Sequence, residues 1–204
     1  MKIGILIPFR GTVTDKSRLR KEITKDIVDK LLKQMIQHVI KECMELEFEK
    51  NIYVLTKNDT VVLEGDYIIL QDQGENLNDA IKKAKGKLEE DMLIVIMADL
   101  PFLKNEVVER IINMYRKKNQ IIIAPSNDNG TSILCFDTNA NFPFVFGQKS
   151  SMHFQELFKN NNLQYTLLDY EISFKDIDTL KDLIEIGRLE SLPEWLKEIT
   201  KEVK

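Results

Sequence analysis

The chain has 204 residues, 43% hydrophobic and 30% charged, a balance that excludes disorder and suits one domain of ordinary size spanning 1–204. A net charge of −4 and a pI near 5.4 argue against a nucleic-acid binder, and no apolar run approaches the roughly 18 residues a membrane span needs. Cys43 and Cys135, each inside an apolar pattern, predict two reduced core thiols in a cytoplasmic protein.

"KIGILIP" (2–8) predicts the first strand, since the run is too short for a signal peptide. It leads into "FRGTVTDKSRLR", where Gly11 is the only glycine and the P-loop spacing is absent, which removes the usual kinase or ATPase reading. Between positions 10 and 25, six basic residues face two acidic ones. Arg10, Lys16 and Arg18 near a helix start suit either a triphosphate cradle or a solvated loop. A long helix follows, with Ile23, Ile27, Leu31, Met35, Val39 and Cys43 repeating every four residues.

"NIYVLT" (51–56) and "DYIIL" (66–70) predict two more strands, and "MLIVIMA" (92–98) and "QIIIAP" (120–125) two beyond a second helix. Their unbroken hydrophobicity predicts strands covered on both faces, as in a parallel sheet. Asp99 follows "MLIVIMA" at once; the next helix starts near Asn105, with Val107, Ile111, Met114 and Tyr115 as its stripe. Asp99 is therefore not read as that helix's cap, which leaves a Mg²⁺-ligand role open. In an open α/β sheet ligands lie beyond the carboxyl ends of the strands, so Arg10, Asp99 and the loop after Pro125 should share one edge.

That loop, Ser126 to Gly130, reads either as a hairpin turn or as a ligand loop held between two buried strands, the second being "TSILCF" (131–136). "FPFVFGQKSSMHF" (142–154) ends at a helix start, where Ser150 or Ser151 reads as an N-cap or as part of an anion site built from backbone N–H groups. Lys149 either adds charge there or points outward. A short strand near 164–169 and helices near 151–160, 179–190 and 193–203 complete the order. In "KDIDTLKDL", Asp178 or Thr179 suits an N-cap, while Asp176 and Asp178, two apart, point the same way in an extended segment and can face Asp99. Zinc is improbable, because neither His38 nor His153 has a partner at ligand spacing.

Taken in order, "IPFRGTVTDKSRL", "GENLNDA", "MADLPFL", "IIIAPSNDNGTSIL", "FPFVFGQKSSMHF" and "DIDTLKDL" resemble the CofC family, the guanylyltransferases that activate 2-phospho-L-lactate in coenzyme F-420 biosynthesis. The resemblance implies a Rossmann-like three-layer sandwich of the nucleotide-diphospho-sugar transferase type with a mainly parallel mixed sheet. It also implies GTP and Mg²⁺, a homodimer, and a phosphorylated three-carbon acid as acceptor. By motif position, Asp99 with Asp176 or Asp178 would hold the metal, Lys16 and Arg18 would approach the triphosphate, and Gly74 and Asn78 would lie by the nucleotide. Thr131, Gly147 and Ser150 would hold the acid. The alternatives are the same fold with another acceptor (phosphoenolpyruvate, 3-phosphoglycerate, a sugar phosphate or molybdopterin), or a nucleotide sensor without turnover.

Overall fold

Among the described residues, seven strands form one sheet in the order β3-β2-β1-β4-β6-β5-β7: β1 (Ile3–Pro8), β2 (Lys50–Thr56), β3 (Ile68–Gln71), β4 (Met92–Ile96), β5 (Ile121–Pro125), β6 (Thr131–Asp137) and β7 (Tyr165–Leu167). This computed structural model describes residues 1–10, 16–57 and 62–203. β1 runs parallel to β2 and β4, β2 to β3, and β5 to β7; β6 alone is reversed, antiparallel to both β4 and β5. The sheet is therefore mainly parallel but mixed. The carboxyl ends of β1, β4 and β5 open on one edge, as the ligand rule requires.

The helices are α1 (Lys25–Met44), α2 (Leu77–Lys85), α3 (Asn105–Lys118), α4 (Ser150–Asn160), α5 (Leu180–Ile186) and α6 (Glu194–Glu202). Alternation along the central strands decides which helix covers which face. Ile3, Ile5, Ile7, Met92 and Ile94 pack against Ile36 and Val39 of α1 and Val108 and Ile111 of α3. Leu6, Leu93 and Val95 pack against Ile81 of α2 and Phe154 of α4 on the opposite face. Every residue of β4 is buried, which explains its unbroken apolar run: each large side chain removed from water contributes about 1.5–3 kcal/mol whichever face it joins. The result is a three-layer α/β/α sandwich, with α5 and α6 added over the outer side of α1 through Leu183, Leu196 and Ile199.

Three elements depart from the sequence expectation. β3 is an edge strand whose Ile68 and Ile69 are exposed, so its apolar run is not covered on both faces. α5 stops at Ile186, because Gly187 forms its C-cap and Leu189 is already exposed. The cap of α4 is Lys149 in the left-handed region (φ 52°), not a serine; Ser150 is the first helical residue. Cys43 and Cys135 are free and buried, and His38 Nε2 lies 2.9 Å from the Leu103 carbonyl, a satisfied core histidine. Among the described residues no helix is long and apolar enough to cross a membrane.

Candidate active site

Three carboxylates converge at the carboxyl edge. Asp99 follows β4, held in a turn by the fully buried Leu100 and Leu103 on either side of Pro101. Asp176 and Asp178 flank Ile177, which is fully buried among Leu19, Leu31 and Leu183; with Ile177 pointing inward, its two neighbours turn the other way. Asp178 is fixed further by the start of α5, where Thr179 and Asp182 form a capping box and Asp182 Oδ2 also accepts the Asp178 N–H at 3.1 Å. One oxygen from each of Asp99, Asp176 and Asp178 lies within 4.8 Å of the others.

Lys16 enters this cluster and pairs with both Asp99 and Asp178. Burial draws its pKa downward, but the two carboxylates push it up by more, so Lys16 stays an ammonium. One cation does not balance three carboxylates. Asp176 shows the deficit: burial first, then the charges of Asp99 and Asp178, push its pKa up to about 7 against the pull of Lys16. An all-oxygen donor set with unbalanced negative charge suits a hard divalent cation such as Mg²⁺, and both aspartates of the "DID" segment can contribute.

Two adjoining hollows meet at this centre and share Arg18, Leu77, Met97, Asp99 and Asp178. The first, about 400 Å³, runs past Pro8, Phe9 and Arg10 at the end of β1. The Arg10 Nε donates to Asp72 Oδ2 at 3.2 Å, while one terminal nitrogen of the guanidinium is buried without a hydrogen-bond partner among the described residues. A buried unpaired guanidinium nitrogen costs more than a made bond returns, so it fits an anionic or carbonyl-bearing ligand in this hollow. Gly11 and the residues through Asp15 lie outside the described residues.

The second hollow, about 450 Å³, is walled by the β5–β6 connection and by the segment leading into α4. Residues 126–130 turn out to be a hairpin and a pocket wall at once. Ser126 N–H bonds the Gly130 carbonyl at 3.1 Å, and Asn129 sits in the left-handed region (φ 66°). Asp128 pins the turn by accepting from Ser126 Oγ at 2.5 Å and Gly130 N–H at 3.0 Å; a Cβ on Gly130 would lie 2.5 Å from Ser126 Oγ. The Ser150 hydroxyl donates to Thr131 Oγ1 at 2.9 Å, both residues being buried. The first N–H groups of α4 are already used, Ser150 on the Gly147 carbonyl and Ser151 on Asn129, so an anion here meets hydroxyls more than a free helix end. Gly147 adopts φ 140°, which side chains rarely tolerate, and has open space where a Cβ would project.

The approach to Gly147 is packed, because the "FPFVF" run joins an aromatic cluster. Phe142 meets Phe158 at 5.0 Å and Phe146 meets Phe154 at 5.1 Å, both edge-on, each pair contributing roughly 0.5–1.5 kcal/mol beyond its buried area.

Arg10, Lys16, Arg18, Asp99, Thr131, Gly147, Ser150, Asp176 and Asp178 thus line the two hollows. Gly74 and Asn78 are placed differently. Gly74 packs against α2, where a Cβ would meet the Ala80 nitrogen at 2.3 Å. Asn78 lies in the first turn of α2 rather than a loop, and its amide is taken up by the backbone of Phe146. Sequence reasoning missed Asp72, which is buried and orients both Arg10 and the Gly74 N–H (2.7 Å). The signal was present: Asp72 directly follows β3, much as Asp99 comes soon after β4. It also missed Asp128, hidden among turn-forming neighbours.

The family described as guanylyl transferase CofC like matches residues 3–204. A 2-phospho-L-lactate guanylyltransferase of Methanocaldococcus jannaschii is 29% identical over 191 residues, covering 91% of this chain and 83% of that protein. A phosphoenolpyruvate guanylyltransferase of Thermobaculum terrenum is 23% identical over 195 residues, covering 93% and 84%. A structure from Desulfovibrio desulfuricans G20, provisionally described as a nucleotide-diphospho-sugar transferase, superposes with a TM-score of 0.80 at 18% identity over 98% of this chain and 97% of that one. A CMP:2-keto-3-deoxy-manno-octonic acid synthetase complexed with CTP gives 0.62 at 16% identity over 91% and 97%. The two structural likenesses support the sandwich and its strand order; the full-length family match carries the assignment, and the chain belongs to the CofC-like guanylyltransferase family.

Proposed function

We propose that this chain transfers the guanylyl group of GTP to the phosphate of 2-phospho-L-lactate, giving lactyl-2-diphospho-guanosine and pyrophosphate. The observation that carries the reading is the meeting of two hollows at one acidic centre, the first offering cations, the second hydroxyls and an open glycine. Membership of a guanylyltransferase family and the names of the relatives support GTP and the acid.

The acceptor already carries its nucleophile. The second pKa of a phosphate monoester is near 6, so a non-bridging oxygen is ionised at neutral pH and no protein base is needed. That oxygen forms a bond to the α-phosphorus of GTP while the bond from α-phosphorus to the bridging oxygen breaks, and pyrophosphate leaves with the electron pair. The protein's task is to hold two anions in line and offset their repulsion. Arg18 stands where the two hollows join and Lys16 beside it, paired with Asp99 and Asp178; both serve that end, and Arg10 holds the nucleotide side. Asp99, Asp176 and Asp178 would hold Mg²⁺, which supplies neutralisation of phosphate charge when bound. Thr131, Gly147 and Ser150 receive the acid, with Asp128 keeping their wall in shape.

One second reading has a specific support: the Thermobaculum terrenum relative is named for phosphoenolpyruvate, which differs from phospholactate by one unsaturation. Pyrophosphate release with Mg²⁺, pairing GTP, ATP, CTP and UTP with both acids, 3-phosphoglycerate and a sugar phosphate, separates these. Release confined to GTP and 2-phospho-L-lactate supports the proposal; preference for phosphoenolpyruvate replaces the acceptor but keeps the chemistry; nucleotide binding without release points to a sensor. The family reading also carries a homodimer, which light scattering would register as twice the 23.8 kDa chain.

A further inference from the structure

The two hollows are built by segments far apart in sequence, and one side chain joins them. Asn78, in the first turn of α2, donates from Nδ2 to the Phe146 carbonyl at 3.1 Å and accepts the Phe146 N–H at Oδ1 at 2.8 Å. Both ends of its amide are thus spent on the backbone of one residue, 68 residues away. On one side of this pairing, Phe146 adjoins Gly147, whose segment closes the second hollow and ends at the Ser150–Thr131 bond. On the other side, the start of α2 is tied through the Gly74 N–H to Asp72 and from Asp72 to Arg10. Leu77, the neighbour of Asn78, lines both hollows.

We propose that Asn78 is a positioning residue: it sets the Phe146–Ser150 segment in register with the nucleotide side, so that the acceptor is held at the right place only while the pairing is intact. Asn78 acts through the Phe146 backbone and touches neither substrate. An asparagine amide carries its donor and its acceptor on separate atoms side by side, which matches the N–H and C=O that one residue's backbone presents. The inference rests on the guanylyl-transfer reading, in which the second hollow is the acceptor's.

The test compares Asn78→Ala and Asn78→Asp, which both remove the donor, with Ala84→Gly, which weakens the same helix without touching the pairing. Pyrophosphate release is measured with GTP, Mg²⁺ and 2-phospho-L-lactate or phosphoenolpyruvate, whichever the wild type uses, alongside hydrogen exchange of residues 146–150. In the Asn78 variants the acceptor KM is expected to rise about tenfold with the GTP KM changing less than about twofold, and the slowing of exchange in 146–150 that GTP is expected to cause in the wild type should be lost. Ala84→Gly should lower the melting temperature and leave that KM ratio alone. An active wild type whose Asn78 variants shift both KM values together, shift neither, or keep the GTP-dependent protection overturns the inference alone. A wild type that releases no pyrophosphate with any acceptor overturns the functional reading, and the inference with it.

Discussion

Carboxylates are drawn from water at both edges of the sheet, buried at one and half-buried at the other, and the two are handled in opposite ways. At the amino edge Glu90, 5% exposed, accepts from Asn51 Nδ2 at 2.7 Å and from the Tyr53 hydroxyl at 2.5 Å. Burial alone would push its pKa up, but those neutral donors hold it below the usual carboxylate value. At the carboxyl edge, Asp99, Asp176 and Asp178 are set against one another with Lys16 between, and Asp176 rises to about 7. Glu90 is served from within the fold at Oε1, while its Oε2 is buried with no hydrogen-bond partner among the described residues. The aspartate cluster leaves charge unbalanced, the arrangement expected where a ligand from outside completes the site.

The largest effect should come from breaking the unbalanced cluster. Asp99→Asn keeps the shape of the side chain and is expected to reduce turnover by about 10³-fold or more, with an unchanged circular dichroism spectrum. Retained turnover would show that the cluster is not the reacting centre. Lys16→Ala should cost about 10²-fold, because one cation facing the transferred phosphates is lost and the carboxylates are left facing one another. Steady-state rates at saturating Mg²⁺ read this directly.

A smaller effect separates the edges by pH. Below about 7 Asp176 holds a proton that must leave when a metal binds, so Mg²⁺ affinity should weaken as pH falls from 7 and level off above it. Asp176→Asn should flatten that profile in calorimetric titrations. The sign for stability follows from the same shift. In the metal-free protein a carboxyl whose folded pKa lies above its unfolded one stabilises below pH ~4, and that contribution is lost as pH rises toward 7. Glu90 behaves in reverse: its lowered pKa gives stability that is present above the unfolded pKa and lost as pH falls through the folded one.

The smallest effect tests the amino edge. Glu90→Gln keeps an acceptor for Asn51 and Tyr53 but loses the charge, and should cost about 1 kcal/mol, a drop of roughly 2–4 °C in melting temperature, with activity unaltered. A loss of turnover would mean that the amino edge is not merely structural.

Much of this was legible in the sequence, for identifiable reasons. β1 and β4 announce themselves because both faces are covered, and Asp99 because a carboxylate straight after such a strand has few structural uses. The alternation across Asp176-Ile177-Asp178 fixed which way both aspartates turn. What escaped depended on contacts across the fold. β6 inserts between β4 and β5, a topology that no local pattern encodes. Ser150 reads as a cap until Asn129 and Gly147 are seen to satisfy the first N–H groups of α4. Nor does anything local to Asn78 announce that its amide pairs with Phe146, 68 residues away.

Phosphorus NMR of GTP and 2-phospho-L-lactate in equal amounts, with Mg²⁺ and a trace of protein, tests the guanylyl-transfer reading most directly. Loss of the monoester resonance, growth of a diphosphate pair and one equivalent of pyrophosphate, all abolished by Asp99→Asn, is the expected result. GTP left intact, or split to GDP and inorganic phosphate without touching the acid, would contradict it.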